Sequence, residues 1–299
     1  MIVQNSCDAI DDAIEAGILR DGDGRIEIEI DKAARRITIE DNGLGLSTRY
    51  FERTMSKIGN SDKKLETDRG FRGIGRICGL AYCKEARFIS TAAGETKLSI
   101  MTIDAKRLRK EFFRSNNYSA ESVLRDVITF SKDDAEVDKH FFRVELIGIV
   151  DTNEALLNEE KVRDYVSFVA PVTYSPQFRF QQQIYKHAAE LNFKIPEYKI
   201  FVNGKPCVKN YKVGFNTFRN GADNIFDLYF RDFRNEDGNL IAWSWIGLST
   251  FKGVLSEEKG TPEYKMRGIR LRAGNTQIGN EYALQDLFSE THQYFAAKG

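Results

Sequence analysis

Proline is scarce in this chain and missing from its first 170 residues: all five prolines, Pro171, Pro176, Pro196, Pro206 and Pro262, lie beyond them. Long regular elements can therefore run through the first half without the stops that proline imposes. Cysteine is also sparse, with four in 299 residues. Cys78 and Cys83 stand five positions apart with no second pair and no nearby histidine, which excludes the usual zinc spacings. Cys7, Cys78, Cys83 and Cys207 read instead as small buried residues in a reducing compartment. Net charge is absent, since Lys+Arg and Asp+Glu both number 44, so no global field draws the chain to nucleic acid or membrane. A local basic patch is left open. No run approaches the ~18 apolar residues of a membrane span, and Asn5 and Asp8 interrupt the start where a secretion signal would be apolar. The expected location is cytoplasmic, with no membrane partner.

What is present begins with a helical pattern over residues 2–17, where Ile10, Ala13, Ile14 and Gly17 share one face and Asn5, Asp8 and Asp12 another. Residues 25–30 and 35–40 alternate strictly and read as two half-buried strands. A helix from about Thr48 to Lys57, a polar stretch, a small-residue helix over 74–83 and strands near 86–91, 97–103 and 142–150 follow, with a charged helix over 104–114. Beyond Val150 the character changes. Residues 151–192 are helical with breaks at Pro171 and Pro176, and from Tyr198 the chain is strand-rich, with hairpin turns at Asn203-Gly204 and Asn235–Asn239. This predicts two domains, 1–150 and 151–299.

Three motifs carry chemistry. Asp41-Asn42-Gly43-Leu44-Gly45 follows an alternating strand. A carboxylate fixed at a strand end can accept a hydrogen bond from an exocyclic amine, and glycines let backbone approach a flat base; the same residues are also ordinary turn chemistry. Gly70-Phe71-Arg72-Gly73-Ile74-Gly75 opens a helix. Bare backbone N–H groups there suit an anion. The stretch before it, Ser61 to Arg69, is too polar for the buried strand that a dinucleotide fold requires, and no Gly-x4-Gly-Lys-Ser/Thr loop occurs. Asn5 with Asp8 on the first helix offers hard oxygen ligands for Mg²⁺, or simply a solvated face.

Taken in order, these motifs resemble those of the GHKL superfamily (gyrase B, heat-shock-90 chaperones, histidine kinases and MutL), over residues 1–150. The resemblance implies an α+β fold: a Bergerat-type ATP-binding sandwich, a mixed sheet with helices on one face, followed by an α+β transducer-like or middle-like domain. It implies Mg-ATP as ligand, with Asn5 holding Mg²⁺, Asp41 binding the adenine amine and Gly43 and Gly45 lining the base pocket. Gly70, Gly73 and Gly75 would wrap the phosphates, Ile58–Arg69 would form the ATP lid, and Asp8, Ser61 and Ile74 complete the implied ATP-binding set. Within the superfamily, Arg69–Gly73 resembles MutL, while Ile58–Ser61 and the glycine spacing resemble the heat-shock chaperones. The three histidines, His140, His187 and His292, sit in no phospho-acceptor helix pair, which argues against a histidine kinase.

The resemblance implies a chaperone-type ATPase that closes its lid and forms a homodimer on nucleotide binding, with a client left unnamed. The alternatives are an ATP-responsive module without efficient hydrolysis and a MutL-like DNA-processing ATPase. Residues 267–279 are expected to form a strand-turn-strand, with Arg267, Arg270 and Arg272 either a basic edge for DNA or a partner, or an ordinary charged face. Two departures stand out. Met1 occupies the position of the family's general base, a Glu, so no catalytic residue is assigned. We expect the natural protein to extend upstream, and the second domain to continue beyond Gly299. Phe141-Phe142 stands where the family carries a Gly-Thr pair whose hydroxyl helps hold adenine.

Overall fold

The computed structural model describes residues 2–56, 77–114, 126–211, 214–216, 222–224, 226–248 and 269–279. The chain divides into two compact units, Met1–Val166 with Tyr198–Cys207, and Ser167–Glu197 with Val208–Gly299.

In the first unit, α1 (Ile2–Glu15) precedes β1 (Arg25–Asp31) and β2 (Arg36–Asp41), then α2 (Thr48–Ser56). A 3-10 turn over Ile77–Ala81 stands in the described part of the expected helix at 74–83. Next come β3 (Glu85–Thr91), β4 (Lys97–Ile103), α3 (Ala105–Arg114), β5 (Ile128–Asp134) and β6 (Phe141–Ile147). A 3-10 segment, Asp151–Leu157, leads to α4 (Glu159–Val169), and β7 (Lys199–Val202) and β8 (Lys205–Pro206) return from later in the chain. These strands form one mixed eight-stranded sheet, in the order β5-β4-β3-β6-β2-β1-β7-β8. All neighbours are antiparallel except β1 and β7, where Ile26 and Ile28 align with Ile200 and Val202.

Strand alternation makes one face of this sheet apolar. Register places Ile26, Ile28, Ile37, Val144, Leu146, Ala86, Phe88, Met101 and Ile103 on it, all buried. Cys7, Ile10 and Ala13 of α1 and Phe51 and Met55 of α2 are buried with them, and Phe51 meets Phe130 of β5 edge-on at 6.5 Å. The opposite face carries Glu27, Thr38, Glu40, Arg143 and Glu145, with Arg143 paired to Glu40 across the strands. The fold is the expected α+β arrangement, a mixed sheet with α1 and α2 packed on one face.

Two expectations need correction. β5 is a further strand, and Tyr198–Cys207 belongs with the first unit because β7 pairs with the open edge of β1. Of the cysteines, Cys7, Cys83 and Cys207 are buried and Cys78 is exposed; all four are free thiols. Burial pushes the Cys83 thiol up to about 11, so it is inert at neutral pH.

The second unit contains α5 (Gln181–Glu190) and the strand pairs β9 (Gly214–Asn216) with β10 (Ala222–Asn224), β11 (Asp227–Arg234) with β12 (Leu240–Leu248), and β13 (Leu271–Ala273) with β14 (Thr276–Ile278). Its core is aromatic, with Tyr174, Phe178, Phe180, Ile184 and Leu228 packed against Tyr211, Trp243 and Trp245. Lys209 is buried beside it at 1% exposure, its Nζ donating to the carbonyls of Ala170 and Val172 at 2.8 Å each. Burial, and then the Arg272 charge, bring this lysine down to about 6. β13 and β14 form the expected strand-turn-strand, but not as an exposed basic edge. Arg272 donates to the carbonyls of Phe168 and Asn275 and to the Tyr211 hydroxyl, and Arg270 lies 4.5 Å over the Phe168 ring. Arg267 lies outside the described residues.

Candidate functional site

The site is built where β2 ends against α1. α1 turns Ser6, Cys7, Ile10 and Ala13 toward the sheet, positions related by helical spacing, and so sets a serine hydroxyl among core residues. β2 delivers Asp41 to the same apolar face at 2% exposure. The Asp41 carboxyl is held by the Ser6 hydroxyl and the backbone N–H groups of Gly43 and Phe142, the Gly43 nitrogen lying 3.0 Å from Oδ1. Burial raises its pKa to about 7, against the pull of these hydrogen bonds, and the neighbouring Glu40 charge adds to the rise. At neutral pH the group is therefore poised between acceptor and donor.

The loop after Asp41 is pressed against both flanking elements. A Cβ at Gly43 would stand 2.6 Å from the carbonyl carbon of Ala9 on α1, and Leu44 N–H donates to the Ala9 carbonyl at 2.9 Å. Gly45 has φ +69, and a Cβ there would meet the Thr91 carbonyl oxygen at 2.1 Å. Both glycines therefore permit close packing of the loop, in addition to any role in lining a pocket. Asn42 serves the hairpin: its Oδ1 accepts from Arg25 N–H at 2.7 Å and its amide donates to the Asp23 carbonyl.

Sequence reasoning missed three residues. Ser6 holds Asp41 directly, and the clue was a hydroxyl on the core-facing stripe of an amphipathic helix. Ser90, fully buried on β3, accepts from Leu46 N–H at 2.8 Å and donates to the Phe141 carbonyl at 2.7 Å, locking the loop to the start of β6. His140 Nδ1 lies 2.8 Å from the Gly43 carbonyl, so this nitrogen carries the proton in that contact. Neither Ser90 nor His140 stands in a motif that would have pointed to it.

Of the residues read from the sequence, Asp41, Gly43 and Gly45 come together with α1, which carries Asn5 and Asp8, both half-buried. Ser61, Gly70, Gly73, Ile74 and Gly75, and the lid Ile58–Arg69, lie outside the described residues. Just after them, Gly79 packs closely on β6, where a Cβ would stand 2.9 Å from Leu146 Cδ2. Among the described residues no group of three or more His, Cys, Asp or Glu gathers as a metal cage.

The family model described as histidine kinase-, DNA gyrase B-, and HSP90-like ATPase matches residues 2–146, the stretch that contains this site. Over those residues the chain is similar to the ATPase domains of this family. A chaperone protein HtpG from Streptomyces coelicolor (strain ATCC BAA-471 / A3(2) / M145) is 33% identical over 117 residues, covering 32% of this chain. The match takes in 18% of the length of that chaperone. The ATPase domain thus resembles the heat-shock-90 branch, and ATP is the ligand its family implies. No described helix is long and apolar enough to cross a membrane.

Proposed function

We propose that the ATPase domain binds Mg-ATP at the Asp41 site and that nucleotide drives a chaperone-type conformational cycle. The observation that carries this reading is the buried Asp41 carboxyl, placed at the end of β2 and held by Ser6 of α1. In its ionised form the carboxyl is a buried acceptor with donors on only some of its lone pairs; that form suits an exocyclic amine, and separates adenine from a base that presents a carbonyl there.

The metal part fits the residues present. Mg²⁺ is commonly held by one or two protein oxygens plus substrate phosphates rather than by an all-protein cage. Asn5, one position before Ser6 on α1, supplies a neutral hard oxygen of that kind, and Asp8 lies a turn further on. Magnesium there would neutralise phosphate charge, while the chain's own residues orient the base and exclude water from the Asp41 carboxyl.

In the further steps of this proposal, Ile58–Arg69 closes over the nucleotide, with Ser61, Gly70, Gly73, Ile74 and Gly75 supporting the phosphates. The second unit acts as the transducer-like or middle-like domain, two copies associate on ATP binding, and the protein works in the cytoplasm. The chaperone reading is favoured over DNA processing because Arg272 spends its donors on carbonyls and a hydroxyl of its own unit.

Calorimetry of Mg-ATP binding tests the core of the proposal. Asp41→Asn should abolish measurable affinity while circular dichroism shows the fold retained. Equal affinity in the two proteins would sink the assignment.

A further inference from the structure

One passage of the chain between the two units falls between Glu197 and Tyr198, and these neighbours turn their side chains to different elements. Tyr198, in the first unit, donates its hydroxyl to the Asp11 carboxylate, 2.7 and 2.6 Å from its two oxygens. Asp11 belongs to α1, the helix that carries Asn5, Ser6 and Asp8. Glu197, in the second unit, accepts a hydrogen bond from the Tyr185 hydroxyl on α5. The Tyr185 ring meets Tyr174 edge-on at 5.7 Å, and Tyr174 is hydrogen-bonded to Trp245. The passage has little slack. Pro196, just before it, has a fixed φ, and its carbonyl accepts from the Asn275 amide at 2.9 Å. Lys199 and Ile200, just after it, are already in register with Arg25 and Ile26 of β1.

We infer that Tyr198 is a positioning residue through which α1 reports ligand occupancy to the aromatic core of the second unit. This inference rests on the nucleotide reading of the Asp41 site. An amine that takes the Asp41 carboxyl competes with the Ser6 hydroxyl, and so alters one of the bonds holding α1 to β2. A helix bonded along its length moves as one piece, carrying Asp11 with it. A hydroxyl shared between two carboxylate oxygens is a charge-assisted contact, so Tyr198 follows Asp11. Glu197, one peptide bond away, then pulls on Tyr185, and Tyr185 on Tyr174 and Trp245. A ligand moves a distant group only by favouring one arrangement over another, and the Asp11–Tyr198 bond is where that bias leaves α1.

The test follows Mg-ATP binding by calorimetry and, in the same samples, by the emission of Trp243 and Trp245, both in the second unit. Binding to the wild-type chain should shift that emission. Tyr198→Phe should keep Mg-ATP affinity within about fivefold, the low end of coupling between sites, and should lose most of the emission shift. Asp11→Ala should do the same, whereas Asp11→Asn keeps an acceptor for the hydroxyl and should keep the shift. Tyr185→Phe cuts the relay on its other side, so combining it with Tyr198→Phe should lose no more than either alone. A full emission shift in Tyr198→Phe or Asp11→Ala would overturn the inference. Loss of Mg-ATP binding in both would overturn it too, because the bond would then build the site rather than report on it. Wild-type binding without an emission shift would overturn this inference alone. Failure of the wild type to bind Mg-ATP would overturn it together with the nucleotide reading.

Discussion

Asp41→Asn should make the ligand-free protein more stable as the pH rises, in step with its loss of nucleotide affinity. The carboxyl titrates near 3.8 when solvated and about 7 in the fold. A folded-state pKa raised above the unfolded value favours the protonated form in the fold. Its stabilising contribution is therefore full below about pH 4 and is lost progressively as pH rises to about 7. Each pH unit inside that window removes about 1.4 kcal/mol. An asparagine of nearly the same shape does not titrate, so the stability gap in favour of Asp41→Asn should widen by about 2–3 kcal/mol between pH 5 and pH 8. Other ionisable groups contribute equally to both proteins and cancel in the difference. Urea denaturation followed by far-ultraviolet circular dichroism measures the gap. Both tryptophans, Trp243 and Trp245, lie in the second unit, so their emission supplies an internal control whose transition the substitution should leave in place. A gap that stays constant from pH 5 to pH 8 would refute the claim that Asp41 is a desolvated carboxyl.

Gly43→Ala places a methyl group 2.6 Å from the Ala9 backbone, and the strain should cost about 1–3 kcal/mol while weakening Mg-ATP binding; wild-type stability and affinity would contradict the packing described. Ser90→Ala leaves Leu46 N–H and the Phe141 carbonyl without their buried partner, and a loss of about 1–3 kcal/mol is expected in urea denaturation. In the second unit, Lys209 has a folded-state pKa lowered to about 6 from 10.5, so its contribution is present above about pH 10.5 and lost as pH falls toward 6. Lys209→Met should accordingly make tryptophan-detected stability less dependent on pH across that window, although it removes two hydrogen bonds to carbonyls.

The parts legible in the sequence are those where local pattern and burial agree. Strict alternation in 25–30 and 35–40 marked β1 and β2 because Ile26, Ile28 and Ile37 face a core while their neighbours face solvent. Asp41 stood out because a carboxylate ended such a strand. β5 escaped notice because it is an edge strand whose last residues, Lys132, Asp133 and Asp134, are exposed and carry no inward pattern. Ser6 was passed over because a serine beside Asn5 reads as part of a polar face until the sheet beneath it is known. Arg270 and Arg272 share a strand side, as alternation required, yet alternation cannot tell whether that side meets water or carbonyl oxygens. The pairing of β1 with β7 joins residues so distant that no local pattern announces it.

That pairing sets the order in which the eight-stranded sheet can be finished. During synthesis β1 and β2 emerge early and can zip as a hairpin, but the other edge of β1 has no partner until Val202 has left the ribosome. Asn203, which caps the junction by accepting from Ile30 N–H at 2.7 Å, lies 173 positions away in the chain. Pairing across such a distance closes slowly, and an open apolar-faced edge invites the wrong neighbour while it waits. A nascent chain stalled before β7 should therefore depend on folding helpers more than one stalled just after it.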